Sequence, residues 1–132
     1  MALIEEAVVM QMLTSSTVSA LINQRLYPLV IPQDAPLPAV AYQKIDSPKT
    51  SSHGGRSDLA RSRFQFTAAA DTYSEVKALA GAIVDCWWGF RGTVASVRID
   101  GALVENDSDG EIDRGAAMWP VVTIDVVLWH AE

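Results

Sequence analysis

The sequence predicts an α+β fold: a mostly antiparallel sheet carrying an N-terminal helix and one central helix, with a long loop at about 46–60. Three observations lead there. Thr72 to Trp87 combines a capping signature with helical periodicity. Several other stretches alternate apolar and polar residues with the period of a strand. These segments run helix, strands, helix, strands, rather than in the strict alternation of a parallel α/β sheet. At 132 residues the chain is long enough for one core and reads as a single domain, 1–132. Hydrophobic residues at 49% and charged residues at 20% exclude general disorder.

Residues 2 to about 13 read as an amphipathic helix, with Leu3, Ile4, Ala7, Val8 and Met12 near a 3.6-residue period. The hydroxyl-rich "TSST" (Thr14 to Thr17) interrupts it, and a short helical turn follows from Val18 to Ile22. Four prolines between Pro28 and Pro38 remove ladder donors, so that stretch is extended loop or edge strand. Val40 to Ile45 alternates as a strand. Asp46 to Ala60, dense in Ser, Gly and Pro, reads as a long mobile loop, of the kind a partner orders. "RSRFQFTAAA" follows as a strand with Phe64, Phe66 and Ala68 on one face. "TYSE" (Thr72 to Glu75) then opens the central helix. Its stripe is Val76, Leu79, Ala80, Ile83, Val84 and Trp87, and Gly89 and Gly92 stop it. Two short strands, Val94 to Ile99 and Ala102 to Glu105, are expected to hinge at Asp100–Gly101, a hairpin signal. An acidic loop leads to the last strand, Trp119 to His130. Both faces of that strand are mostly apolar, which predicts cover on both sides, from another subunit on one of them.

Net charge is −6, the wrong sign for gripping phosphate backbones. The charge is uneven. Lys44, Lys49, Arg56, Arg61 and Arg63 face only Asp46 and Asp58 in one segment, while Glu105 to Asp113 holds five acidic residues and no basic one. No apolar run approaches the roughly 18 residues that span a bilayer, and acidic residues stand where a signal peptide carries basic ones. The protein is thus expected to stay in the cytoplasm of the cell that makes it. A single cysteine, Cys86, excludes an internal disulfide and a multi-thiolate zinc site, and it reads as a packed small hydrophobe.

Catalytic chemistry has little to stand on. A nucleophile needs a base and an orienting acid, yet the only histidines are His53, in "SSHGG", and His130, read as a surface residue at a strand end. "GFRG" lacks the lysine and hydroxyl of a phosphate loop, so no cofactor is expected. The acidic stretch "VENDSDGEIDRGAAMW" mimics a calcium loop. With Glu105 first, Asp107, Asp109, Gly110, Ile112 and Asp113 fall at its third, fifth, sixth, eighth and ninth positions. Its twelfth position is Ala116 instead of a bidentate Glu, and its flanks read as strands instead of helices. No metal site is assigned.

Several stretches, in their order and spacing, resemble one family. They are "QRLYPLVIPQDAPLPAVAYQKI", "LARSRFQFTAAADTYSEVKALAGAIVDCW", "FRGTVASVRI" and the terminal "VVLWHAE". Together with the N-terminal helix they resemble the phage tail-completion family, the tail terminator or head–tail joining proteins of long-tailed bacteriophages and prophages. The resemblance implies a non-enzymatic virion protein, assembled in the host bacterial cytoplasm. Such a protein forms a ring, commonly of six subunits, at the head-proximal end of the tail tube. There it stops tube polymerisation and meets the head connector or stopper, while genomic DNA passes the lumen without specific binding. The 105–117 stretch is longer and more acidic than the family pattern, so no role carries over to it. The alternatives are a head-completion or stopper adaptor on the capsid side, or a small ligand-binding domain or enzyme using the 46–62 loop as a lid.

The charge map suggests how a ring would find its register. Cyclic rings use heterologous interfaces, in which two different patches meet. The basic positions Lys49, His53, Arg56, Arg61 and Arg63 and the acidic Asp107, Asp109, Glu111 and Asp113 are candidate interface residues of this kind. The competing expectation is that both are solvated loops, since surface ion pairs contribute only about 0–1 kcal/mol, or that the acidic stretch lines the lumen.

Overall fold

The structure, a computed structural model, describes residues 3–46, 51–52, 55–56, 59–113 and 118–131. In chain order the elements are α1 (Ile4–Thr14), α2 (Ser16–Ile22), β1 (Leu26–Pro28), β2 (Ala39–Asp46), β3 (Ser51–Ser52), β4 (Gly55–Arg56), β5 (Leu59–Ala69), α3 (Tyr73–Trp87), β6 (Gly92–Val94), β7 (Val97–Asp113) and β8 (Met118–Ala131). Six strands form one sheet in the order β1-β2-β5-β8-β7-β6, and β3 and β4 form a separate pair. Only β1 and β2 run parallel; every other pairing is antiparallel. The α+β expectation holds.

Alternation along the central strands builds the core. Phe64, Phe66 and Ala68 of β5 stand opposite Val126, Ile124 and Val122 of β8, all buried on the face beneath the helices. The predicted stripe of α3 meets them: Val76, Leu79, Ala80, Ile83 and Trp87 are buried. Trp87 stacks on Phe66 at 6.0 Å and meets Phe90 edge-on at 5.9 Å. Its indole N–H points at Met12 Sδ, 3.2 Å away, which gives the one polar atom of a large buried ring a partner. Thr72 caps α3 by accepting from the Glu75 N–H at 3.1 Å. The Glu75 carboxylate in turn accepts a hydrogen bond from the Thr72 hydroxyl at 3.1 Å.

The opposite face is covered in part by the chain itself. Ile31, Ala39, Ala41, Ala69 and Val121 form a second buried cluster, with Tyr27, Ala35, Leu37, Ile112 and Trp119 packed around it. The proline-rich segment is therefore a cover for the sheet as well as an edge strand. Arg25 pins it: its guanidinium donates to Pro38 O at 2.8 Å and to Leu21 O at 3.2 Å, tying the segment to the end of α2.

Three expectations need correcting. Asp100–Gly101 is no hairpin turn, since β7 runs straight through it with only a register shift between Ile99 and Gly101. A glycine inside a strand marks such a bulge as readily as a turn. The hairpin lies five residues earlier, where Ala95 (φ 50°) and Ser96 (φ 66°) join β6 to β7 between the paired Val94 and Val97. The acidic stretch 105–113 is strand, the second half of the 17-residue β7. Part of the expected 46–60 loop is also strand. β3 and β4 lie within it and β5 begins at Leu59, while residues 47–50, 53–54 and 57–58 lie outside the described residues.

Candidate assembly interface

Strand pairing decides where the acidic residues point. β5 ends at Ala69, opposite Val121, so in the strand ladder Glu111–Asp113 and Met118–Pro120 partner only each other, with one further tie where Pro120 O accepts from Ala70 N–H at 3.4 Å. Pro120 fits there because no neighbouring strand needs a ladder donor on its β5 side. A second register shift, between Val104 and Asn106, leaves Glu105 as an extra residue. That shift sets Asp107, Asp109 and Glu111 opposite Ile124, Val122 and Pro120, on the helix-side face. Without it they would fall on the other face. Asn106, Ser108 and Gly110 take that other face, opposite Asp125, Thr123 and Val121. The calcium-loop likeness dissolves in this geometry, because an extended strand spaces alternate carboxylates about 7 Å apart in a row instead of curling them around one ion. Among the described residues, no three His, Cys, Asp or Glu side chains converge on a point.

The first turn of α3 reaches the acidic row. Tyr73 donates its hydroxyl to Asp109 Oδ2 at 2.6 Å, and Lys77, one turn on, donates to Oδ1 at 3.1 Å. The Lys77 ammonium also lies 5.7 Å from the Tyr73 ring centre. The Tyr73 hydroxyl and then Lys77 hold the Asp109 carboxyl below the usual range. The same hydrogen bond raises Tyr73, and Asp109 raises Lys77. Asp109 is thus tied to the helix, while Asp107 and Glu111 flank it, exposed.

Of the basic candidates, Arg63 forms an ion pair with Glu105 of the same chain. Arg61 lies on β5 opposite Trp129, on the same face as Arg63. Arg56 lies in β4, paired with Ser51, and Lys49 and His53 lie outside the described residues. Asp113 ends β7 opposite Met118. One basic and one acidic segment are therefore joined within the chain at Arg63–Glu105. A second tie joins Lys44 to Glu5 at 3.1 Å. Burial pushes the Glu5 carboxyl up, but its own backbone N–H and Lys44 outweigh this and hold it below the usual range.

His130 corrects the surface expectation. It is 6% exposed, with Nε2 2.9 Å from Ser62 Oγ and Nδ1 2.9 Å from Ala131 O. A carbonyl only accepts, so Nδ1 carries the proton, and in the neutral ring Nε2 accepts from the Ser62 hydroxyl. The sequence did signal this position, two residues beyond Leu128 on the inward alternation. Tyr73 and Lys77 were missed because nothing in the local sequence shows that a helix turn will lie over β7, 32–36 residues further on.

Large apolar side chains also reach the surface: Leu29 (70% exposed), Val30 (61%), Trp88 (70%), Met118 (54%) and Leu103 (46%). Leu29 and Val30 line a mainly apolar cavity with Ile31, Ala41, Thr67, Ile112 and Trp119. Among the described residues, no helix is long and apolar enough to cross a membrane.

The fold has a solved counterpart. A chain from the virion of a native gene transfer agent (GTA) particle aligns with a TM-score of 0.73 at 21% identity, covering 95% of this chain and 92% of that one. That likeness speaks for the fold. No curated protein sequence matches. The family model described as Tail completion protein gp17 matches residues 6–123, all but the ends of the chain. The chain belongs to that family, and its role is that of a structural phage tail protein acting in tail completion.

Proposed function

We propose that the protein forms a ring, of six subunits, at the head-proximal end of the tail tube, where it ends tube polymerisation and joins the tail to the head connector or stopper. The observation that carries this reading is family membership across residues 6–123. The surface supports it. A closed ring of one chain needs two different patches that meet head to tail. Exposed apolar residues occur on separate elements, Leu29 and Val30 beside β1, Trp88 after α3 and Met118 at the start of β8. In this reading Arg63 is committed within the chain and Arg61 is left to carry charge for contacts between subunits, while Asp107 and Glu111 present charge to neighbouring proteins. A net charge of −6 keeps the passing genome from adhering to the lumen wall.

The test adds purified protein to polymerising tail-tube protein and follows mass and negative-stain images. Rings of six at one end of length-limited tubes support the proposal. Unlimited tubes with no bound protein overturn it. Binding only to isolated head connectors overturns the tail position in favour of a capsid-side stopper.

A further inference from the structure

The second half of β7 has an open edge. β6 pairs with β7 only from Val97 to Ile99, whereas β8 pairs with it from Ile99 to Asp113. Among the described residues, no other backbone hydrogen bond reaches Gly101–Asp113. Alternate N–H and C=O groups along that edge therefore face solvent, and such an edge is a template for another strand. Residues Glu105–Glu111 are all exposed, so nothing described covers it.

The side chains along the edge define the strand that fits. Asp107, Asp109 and Glu111 recur at every second position on one face, about 7 Å apart by strand geometry. Lys77 partly neutralises Asp109, while Asp107 and Glu111 have no ion pair among the described residues. Asn106, Ser108 and Gly110 on the other face are small enough to leave room for larger neighbours. A second copy pairing edge to edge would oppose carboxylate to carboxylate, which is unfavourable. Nucleic acid is repelled for the same reason.

We propose that the β7 edge receives an extended segment of a different protein, with Lys or Arg at alternate positions and apolar or β-branched residues between them. Backbone pairing would supply the affinity, and the carboxylate row the register and choice of partner. This goes beyond the ring, which could close with the edge empty.

The test uses the full chain and a capped synthetic peptide of about nine residues, a common strand length, alternating Lys with Val and Thr. Peptide affinity and amide exchange are measured at low and high salt. The expected result is binding that salt weakens, with slowed exchange across 101–113. Methylating one alternate set of peptide nitrogens abolishes binding and methylating the other set does not, because only one edge of a strand pairs. Joint Asp107→Lys and Glu111→Lys substitution weakens binding at least about tenfold, and Asp107→Asn with Glu111→Gln by less. An unchanged thermal midpoint shows that these variants fold. Equal binding of a peptide with its lysines in one block, equal effects of the two methylations, or no slowed exchange at 101–113 would each overturn the proposal. Ring size is measured on the same samples without peptide, so a failed ring and an empty edge are separate results.

Discussion

Cys86 and Trp87 are neighbours at the end of α3, and each is held by α1. Trp87 is fully buried against Met12 and Phe66. Cys86 is half-buried; its Sγ–H points to Gln11 O at 3.7 Å, and Gln11 Nε2 donates back to Cys86 O at 3.3 Å. Burial is the main cause that pushes the thiol from 9.0 up to about 11, against weaker lowering by Gln11 and Ser15. The reading of Cys86 as a packed small hydrophobe agrees with that environment. Since the thiolate is the reactive form, the native thiol should alkylate about 100-fold more slowly at pH 8 than in the unfolded chain. Between about pH 9 and about pH 11 the unfolded chain releases this proton while the folded chain keeps it, so the contribution to stability is full below 9 and is lost as pH rises through the window. Alkylation rates with and without urea check the first statement, and urea midpoints from pH 8 to 11 the second. A native rate within a few-fold of the unfolded rate would show that α1 does not seal the thiol.

At the scale of elements, the sequence was most legible where one face is buried and least where a turn lacks its usual residues. The stripe of α3 and the alternation of β5 and β8 announced themselves because the helix-side core selects them position by position. The role of Arg25 is silent in the sequence, since its two carbonyl partners lie 4 and 13 residues away and leave no periodic trace. The acidic half of β7 was read as loop because charged residues are poor strand formers. Pairing with β8 along its length overrides that preference. The β6–β7 turn shows the same problem from the other side. Two consecutive positive φ values are what a two-residue type I′ turn demands, and Asn-Gly is its usual sequence. Here Ala95 and Ser96 occupy those positions, while the Asp100–Gly101 pair that advertises a turn sits in a bulge. Left-handed backbone costs a residue with a Cβ about 1–2 kcal/mol. Replacing Ala95 by Asn and Ser96 by Gly should therefore raise stability by about 1 kcal/mol, seen as a higher urea midpoint at unchanged slope. Destabilisation instead would mean that the Ala95 methyl, which packs against the helix-side core, is worth more than the backbone strain.

For the whole molecule, the candidate interface was legible only as a map of charge. Sequence located the two segments, but not that Arg63 and Glu105 close on each other inside one chain, because β8 brings β5 and β7 together from opposite sides. What the fold adds is that the acidic row runs along an unpaired strand. The carboxylates then have a second consequence besides selecting a basic partner: they keep copies of this chain from joining β7 to β7. Natural sheets commonly protect an open edge with charge, and here the open edge runs from Gly101 to Asp113, because the three residues of β6 cover only Val97–Ile99. Changing Asp107 and Asp109 to Asn and Glu111 to Gln keeps the shapes and removes the repulsion. The variant should form a concentration-dependent dimer or higher species at neutral pH that the original chain does not form, with slowed amide exchange at 101–113 in that species. Salt gives an independent lever, since raising ionic strength shortens the screening length from about 10 Å at 0.1 M to about 3 Å at 1 M. It should move the original chain toward the same species and leave the neutralised variant nearly unchanged. Light scattering across concentration, at both salt levels, reads all four conditions. If the neutralised variant keeps the mass distribution of the original chain, charge is not what guards the β7 edge, and repulsion between carboxylates does not exclude a second copy as its partner.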